Sequence, residues 1–209
     1  MEKRYIYIVI TRTQTKFAKS IRLLGHMKYN HSAIGLDEEL RELYAFSRPR
    51  HKAIFLGRLV RETLNRYTLE RDCVIPTAVF RLPVSCEMYY HIRQYIKKVS
   101  FDSEYMYNLF SVLTYPFTHG FATYKAFHCT EFVAHILKEM GYPLTLPAYR
   151  YRPDDLKELL QEHIIFEGDL KAYMKCQEVD EAYFNHLGIK GNLQNIWALF
   201  RIIGRTYFS

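Results

Sequence analysis

Residues 28–37 read KYNHSAIGLD and place a histidine at the start of an apolar run that contains very small side chains. In a β-strand, side chains alternate between two faces, so His31, Ala33 and Gly35 share one face. Small residues on that face would let a helix pack closely against the sheet. We therefore expect a strand whose histidine borders space for a helix.

The strands around this stretch predict a sheet. Residues 4–11, RYIYIVIT, are β-branched and aromatic and predict a central strand, which is followed by a helix with Thr13 as its N-cap. Residues 43–49, LYAFSRP, predict a strand that forms an antiparallel hairpin with the histidine strand. A further strand is expected around residues 77–82, and residues 164–174 predict a late strand pair.

The length of 209 residues, without a Gly/Ser linker or an internal repeat, predicts one domain over residues 1–209. The pattern becomes helical from Ser85 onward, and residues 85–114 predict a helical insertion whose second helix is capped by Ser103. Residues 178–209 predict a helical C-terminal extension. Its apolar content with arginines would suit either docking on the domain or contact with a membrane surface.

The composition limits the classes of function. A net charge of +7 and a pI of 9.1 favour anionic partners. The basic residues are scattered, and neither a zinc-finger spacing nor an aromatic RNA-binding motif occurs, so we expect no nucleic-acid partner. There is no apolar run of about 18 residues, and the N-terminal stretch lacks the apolar core of a signal peptide. These features predict a cytoplasmic protein with reduced thiols.

Four cysteines are widely separated along the chain: Cys73, Cys86, Cys129 and Cys176. They include no C-x-x-C pair, so a structural zinc site is not expected. Cys129 differs from the others because it begins a predicted helix, whose apolar residues recur every three or four positions up to the stop at Gly141. Unpaired N–H groups and the dipole at a helix start stabilise a thiolate and can bind an oxyanion.

A nucleophilic thiol needs a proton acceptor, and His31 is the best candidate among nine histidines because it begins a well-patterned strand. His128 offers a competing role, either as a local base or, with Cys129 and Glu131, as a metal ligand. Neighbouring residues on a helix do not converge on one ion, so we expect no metal. Taken alone, a cysteine on an apolar stripe and a histidine in a strand are most often structural residues.

The order of these stretches resembles a known family. GHMKYNHSAIGLD followed by LYAFSR, at residues 25–48, and AFHCTEFVAHIL, at residues 126–137, resemble the circularly permuted branch of the NlpC-type, papain-like cysteine peptidase superfamily, which includes lecithin retinol acyltransferase-like proteins. In ordinary papain-like enzymes the cysteine helix precedes the histidine strand, and here the order is reversed. The resemblance implies a permuted papain-like α+β fold, with an antiparallel sheet packed against the cysteine-bearing helix.

Carried to this sequence, the resemblance implies Cys129 as nucleophile and His31 as general base and later acid, with no cofactor. The family adds a third polar residue on the strand next to the histidine strand, and Ser47 is the only candidate there, since Ala45 and Phe46 cannot orient an imidazole. We expect a cysteine hydrolase or acyltransferase that opens an amide or ester of a small molecule, peptide or lipid through a thioester.

A second hypothesis comes from a different class of protein. The same fold could serve as a catalytically weak or inactive binding module that holds a lipid, a peptide or another anionic partner, with peripheral contact to a membrane. The incomplete triad favours this hypothesis. The presence of both Cys129 and His31 favours the enzyme, because a binding groove needs neither residue.

Overall fold

A six-stranded sheet lies at the centre of the structure, a computed structural model that describes residues 3–175 and 178–208; Cys176 lies outside these residues. The strands are β1 (Arg4–Thr11), β2 (His31–Gly35), β3 (Leu43–Ser47), β4 (Arg58–Arg61), β5 (Pro76–Val84), β6 (Met106–Tyr107), β7 (Ala126–Phe127) and β8 (Ile164–Asp169). The order across the large sheet is β4-β3-β2-β1-β5-β8, and every neighbouring pair is antiparallel. The short strands β6 and β7 pair in parallel beside it.

Helices cover both faces of this sheet, so the fold is mixed α+β. The α-helices are α1 (Lys16–Gly25), α2 (Leu64–Thr68), α3 (Cys86–Phe101), α4 (Leu109–Thr118), α5 (Cys129–Glu139), α6 (Pro153–Leu159), α7 (Leu170–Tyr173) and α8 (Gly188–Phe208). Short 3-10 turns lie at Ala148–Arg150, Gln161–His163 and Glu181–Tyr183. Within the described residues, no helix combines the length and apolar character needed to cross a bilayer.

The central strand β1 is buried on both faces because its two sets of alternating side chains enter two different cores. Ile8 and its neighbours on one face pack with residues of α3, α5 and α6, including Phe132. Val9 and its neighbours on the other face pack with residues of α2 and α7, including Tyr67 and Leu170. Apolar burial on two faces explains why RYIYIVIT shows no alternation with polar residues.

The helix that begins at Cys129 packs on the face of β2 opposite to the expected one. Ile34 lies in the core with Phe132 of α5, whereas Ala33 lies in the core with Tyr67 of α2. A Cβ at Gly35 would meet a side-chain carbon of Leu40 at 2.8 Å. The expectation that Ala33 and Gly35 make room for the cysteine helix was therefore wrong; these small residues make room for the opposite core.

Two predicted helix caps are also wrong. The cap of α1 is Thr15, whose side chain accepts the Ala18 N–H at 3.0 Å, whereas the Thr13 hydroxyl accepts the side-chain amide of Asn30 at 2.6 Å. The second helix of the insertion is capped by Asn108 rather than Ser103, since the chain between them forms a turn and β6.

The remaining boundaries are close to expectation with two differences. Ser85 caps α3 as the pattern predicts, but α4 continues beyond residue 114 to Thr118. Residues 164–174 form the single strand β8 followed by α7, rather than a strand pair, because the Asp169 side chain accepts the Lys171 N–H and starts a helical turn. The hairpin of β2 and β3 is antiparallel, as expected.

The C-terminal helix α8 docks on the domain through a narrow contact. Ala198 and Ile202 are buried against Met106 of β6 and Ala126 of β7. The side-chain oxygen of Asn195 accepts the backbone N–H groups of Phe55 and Leu56, which lie in the loop before β4. These contacts bury one side of the helix and leave large apolar side chains on the opposite side exposed.

Phe132 should be one of the largest single contributors to stability. Its side chain is fully buried, with its ring centroid 5.2 Å from that of Phe46. We expect Phe132→Ala to lower the free energy of unfolding by about 3–5 kcal/mol, because the change leaves a cavity in the core. Urea denaturation followed by circular dichroism measures this loss. The matched control Phe117→Ala, at a site 88% exposed, should change stability by less than about 0.5 kcal/mol. Equal losses in the two variants would contradict the assignment.

Candidate active site

Cys129 is the first residue of α5, and His128 fixes the start of that helix. The Glu131 backbone N–H donates to His128 Nδ1 at 3.2 Å, and the His128 backbone N–H donates to Glu131 Oε2 at 3.2 Å. The second ring nitrogen of His128 lies 3.2 Å from the Tyr149 carbonyl oxygen. His128 and Glu131 therefore form a capping box that holds the helix end beside the thiol. Among the described residues, no group of three acidic, histidine or cysteine side chains could hold a metal ion.

The capping box leaves part of the helix start open for chemistry. The N–H groups of Glu131 and Phe132 both bind His128, one at the ring and one at the carbonyl. For the N–H groups of Cys129 and Thr130, no acceptor is found in the part of the chain that the structure describes. Such groups at a helix N-terminus can stabilise a thiolate or a developing oxyanion.

His31 is the first residue of β2 and connects the thiol with a carboxylate. Its Nε2 donates to Glu62 Oε2 at 2.8 Å, and its ring lies close enough to Cys129 for the charge of each group to shift the pKa of the other. Because Nε2 is used by Glu62, Nδ1 is the nitrogen left for the sulfur. The side chains of His31 and Glu62 are only 12% and 4% exposed, so both charges lie away from bulk water.

The charges of these groups stabilise one another. Burial lowers the pKa of His31, but the charges of Glu62 and Cys129 outweigh it and raise the pKa above the ordinary value. Burial raises the pKa of the Cys129 thiol, but the charge of His31 outweighs it and holds that pKa well below the ordinary value. Both shifts favour a thiolate beside an imidazolium over a neutral thiol and imidazole.

Glu62 follows the last residue of β4 and is held ionised by its surroundings. Burial raises the pKa of this carboxyl, but the charge of His31, together with those of its other neighbours, lowers it below the ordinary value. The Tyr67 hydroxyl donates a hydrogen bond to Glu62. Burial and the carboxylate raise the pKa of Tyr67 well above its ordinary range, so this hydroxyl keeps its proton. Arg66 adds a positive charge nearby.

Ser47 lies in the same cavity but does not contact the imidazole. Within residues 3–175 and 178–208, the hydrogen bond found for the His31 ring goes to Glu62. The position predicted for Ser47 is taken by Glu62, which comes from β4, two strands away from β2. The strand β4 was hard to predict, because only four residues form it and both ends are arginines. Nothing in the sequence marks Glu62 as a buried carboxylate, since its burial is visible only in the structure.

Tyr107 is a second site residue that the sequence analysis missed. Its side chain lines the same cavities as Cys129, and burial, followed by the charge of Cys129, raises its pKa well above the ordinary value. The hydroxyl therefore keeps its proton beside the sulfur. The backbone N–H of Tyr107 donates to the Gly57 carbonyl at 2.8 Å, which fixes β6 beside the site. Its place between two predicted insertion helices gave no catalytic signal.

Cys129 lies between two cavities. The larger has a volume of about 210 Å³ and is lined by His31, Glu62 and apolar side chains such as Ile54. The smaller has a volume of about 50 Å³ on the side of Tyr151. Cys129 and Tyr107 line both. A substrate carbonyl placed at the sulfur would therefore have space on either side of it, most of it on the side of the imidazole.

Comparison of the chain with protein-family models, with curated protein sequences and with solved structures finds no match in any of the three. The arrangement of side chains in this site is therefore the basis for assigning a function.

The pH dependence of alkylation tests the charge state of the thiol. Because the pKa of Cys129 is lowered and that of His31 is raised, the thiolate persists below neutral pH. An ordinary thiol, with a pKa of about 8.5, loses about tenfold in thiolate for each pH unit below that value. We expect the rate of Cys129 alkylation by iodoacetamide, followed by mass spectrometry, to stay near its maximum from neutral pH to about pH 6. A profile like that of a free thiol would refute the assignment.

Glu62→Gln tests whether the carboxylate positions the imidazole. Removing the negative charge lowers the pKa of His31, so less imidazolium faces the sulfur and the pKa of Cys129 rises. We expect the alkylation profile to move to higher pH by about one unit or more, with the maximal rate recovered in alkali. Ser47→Ala should leave the profile where it is. A merely structural role for Glu62 would change the rate at every pH without moving the midpoint.

Proposed function

We propose that the chain is a cysteine hydrolase or acyltransferase that opens an amide or ester bond through a thioester at Cys129. The observation that carries this proposal is the position of His31 between the Cys129 thiol and the Glu62 carboxylate. A buried cysteine without a catalytic role needs neither an imidazole on its sulfur nor a carboxylate behind that imidazole.

The arrangement supports a reaction in two halves. The thiolate of Cys129 attacks the substrate carbonyl carbon, and the oxygen takes up the charge near the open N–H groups of Cys129 and Thr130. The carbon–leaving-group bond then breaks, and the imidazolium of His31 gives its proton to the departing nitrogen or oxygen. What remains is a thioester on Cys129 and a neutral imidazole.

The second half regenerates the site. Water, or the hydroxyl or amine of an acceptor, attacks the thioester carbonyl while His31 takes its proton. The carbon–sulfur bond breaks, and the thiolate beside the imidazolium forms again. Glu62 holds the ring in orientation and stabilises its positive charge in both halves. The protonated hydroxyl of Tyr107 is available as a donor beside the sulfur and would favour the leaving thiolate.

We also propose that the domain is a permuted papain-like fold. In its support, the antiparallel sheet packs against α5, and the Ser32 and Thr130 hydroxyls meet at 3.3 Å between β2 and that helix. His31 comes before Cys129 in the chain, as in the permuted branch. A catalytic pair is defined by its arrangement in space, so this order does not hinder the chemistry.

Labelling and turnover test the proposal together. We expect a thiol-directed acylating probe at neutral pH to modify wild type at one site, and Cys129→Ala and His31→Ala each to abolish labelling. The matched controls Cys73→Ala and Cys86→Ala should label as wild type. In a screen of small amide, ester and thioester substrates, His31→Ala should reduce turnover at least about a hundredfold. Equal labelling of Cys129→Ala would end the proposal.

The acyl acceptor separates the two activities within the proposal. With an activated ester, the intact protein should carry a mass increase equal to the acyl group before it is released. Addition of a primary alcohol or amine then shows the fate of that group: a hydrolase yields only the acid, and an acyltransferase yields the new ester or amide. The proposal covers small-molecule, peptide and lipid substrates alike.

A second candidate function, a non-catalytic binding module, is favoured by one observation: the side of α8 that faces away from the domain carries large exposed apolar side chains. In that case the association with a lipid, peptide or other anionic partner would be the whole function. It would survive Cys129→Ala, and no substrate in the screen would be turned over by wild type.

A further inference from the structure

The outward side of α8 is an apolar face, which we call the α8 face. Its members are between 49% and 82% exposed: Ile189, Leu193, Ile196, Trp197 and Phe200. At 100° per residue these positions fall within about 100° of the helix circumference. The docked side, with Ala198 and Ile202, lies opposite. One apolar side of α8 therefore packs on the domain, and the second is exposed and can bind a partner.

Exposed apolar residues also occur on α4, which meets the docked side of α8. Phe110 of α4 packs against the same small core as Ala198 and Ile202. Leu113 and Phe117 follow at spacings of three and four and are 46% and 88% exposed. The α8 face lies on the opposite side of α8, so it is a separate apolar surface.

The charge of this region selects among possible occupants. Between residues 188 and 208 the sequence has three basic residues, Lys190, Arg201 and Arg205, and no acidic residue. Arg205 donates to the Glu104 carbonyl at 2.6 Å and helps to hold α8 on the domain. The whole chain carries a charge of +7. A basic helix with a broad apolar face and a tryptophan has the character of a helix that lies in the interface of an anionic membrane.

We propose that α8 docks the protein on the surface of an anionic lipid bilayer, with the α8 face inserted among the lipid headgroups. Anionic lipids attract the positive charge, and burial of the apolar face stabilises the bound state. A second copy of the chain fits less well, since a stable protein interface uses roughly 20–30 residues a side and this face offers few. The proposal goes beyond the proposed chemistry and does not depend on it.

Membrane docking would place the candidate active site near the lipid surface. Asn195 of α8 accepts the N–H groups of Phe55 and Leu56 at 2.8 and 3.1 Å. The preceding residue, Ile54, is 54% exposed and lines the cavity that contains Cys129. The wall of the site therefore directly adjoins the anchored residues of the loop. A substrate that partitions into the bilayer would meet the cavity at this boundary.

Intrinsic fluorescence tests the docking directly, because Trp197 is the single tryptophan of the chain and lies in the α8 face. The full chain is titrated with vesicles of phosphatidylcholine alone and of phosphatidylcholine with phosphatidylglycerol. We expect a blue shift of the emission and co-flotation with the anionic vesicles, both weakened by added salt. Absence of a shift and of flotation with anionic vesicles would overturn the proposal.

Variants separate insertion from charge alone. Leu193→Ser and Ile196→Ser should each lower partitioning into anionic vesicles by about tenfold. The matched control Ile165→Ser, at a site 39% exposed on β8, should bind as wild type. Retained iodoacetamide labelling of Cys129 shows that the variants fold. Wild-type binding by Leu193→Ser and Ile196→Ser would refute insertion of the α8 face.

Two further measurements test self-association through the α8 face and separate this proposal from the proposed chemistry. A blue shift that grows with protein concentration in the absence of vesicles, together with a larger sedimentation coefficient, would assign the face to a second copy and overturn the proposal. Cys129→Ala should bind vesicles as wild type. Thiol chemistry and lipid binding are thus tested on different variants. The proposed activity and the proposed membrane docking can therefore be refuted independently.

Discussion

The hydrogen bond between His31 and Glu62 is the interaction on which the rest of the candidate site depends. Two ionised groups are kept away from water there, and removal of one partner would leave an uncompensated buried charge. Tyr67 and Arg66 provide the additional stabilisation that such a pair requires. Because the carboxylate is ionised, the imidazole can remain protonated, and because the imidazole is protonated, the thiol of Cys129 can remain ionised.

The sheet and the start of α5 bring these groups together from distant parts of the chain. His31 begins β2, Glu62 follows β4, and Cys129 begins α5, so each residue lies at the end of a regular element. An element end combines a backbone fixed by hydrogen bonds with a side chain that projects beyond the packed core. The capping box of His128 and Glu131 adds rigidity at the thiol, and it uses the histidine that had appeared to compete with His31.

The sequence was sufficient to predict the elements that have strong local patterns. The strand around residues 4–11, the hairpin from His31 to Ser47 and the helix from Cys129 each show a clear periodicity and lie close to their predicted places. The face of β2 on which α5 packs could not be predicted, because both faces of this strand are apolar and either could accept a helix. The mixed α+β sheet was thus predictable, but the packing on it was not.

Glu62 escaped prediction for a related reason. The strand β4 has only four residues, with arginines at both ends, and its identity as a strand comes from pairing with β3 rather than from its own sequence. Tyr107 likewise reaches the sulfur through the two-residue strand β6. Tertiary contacts define such short strands, so a single sequence carries little signal for them.

The position of β4 at the edge of the sheet has a consequence for how the protein would lose function. An edge strand has a neighbour on one side only, and short edge elements open locally before the whole fold melts. Such fraying would carry Glu62 away from the imidazole while the central strands stay paired. Catalytic competence would then have a lower melting temperature than the domain itself, and the part of the fold that sets the working range would be a four-residue strand at the edge of the large sheet.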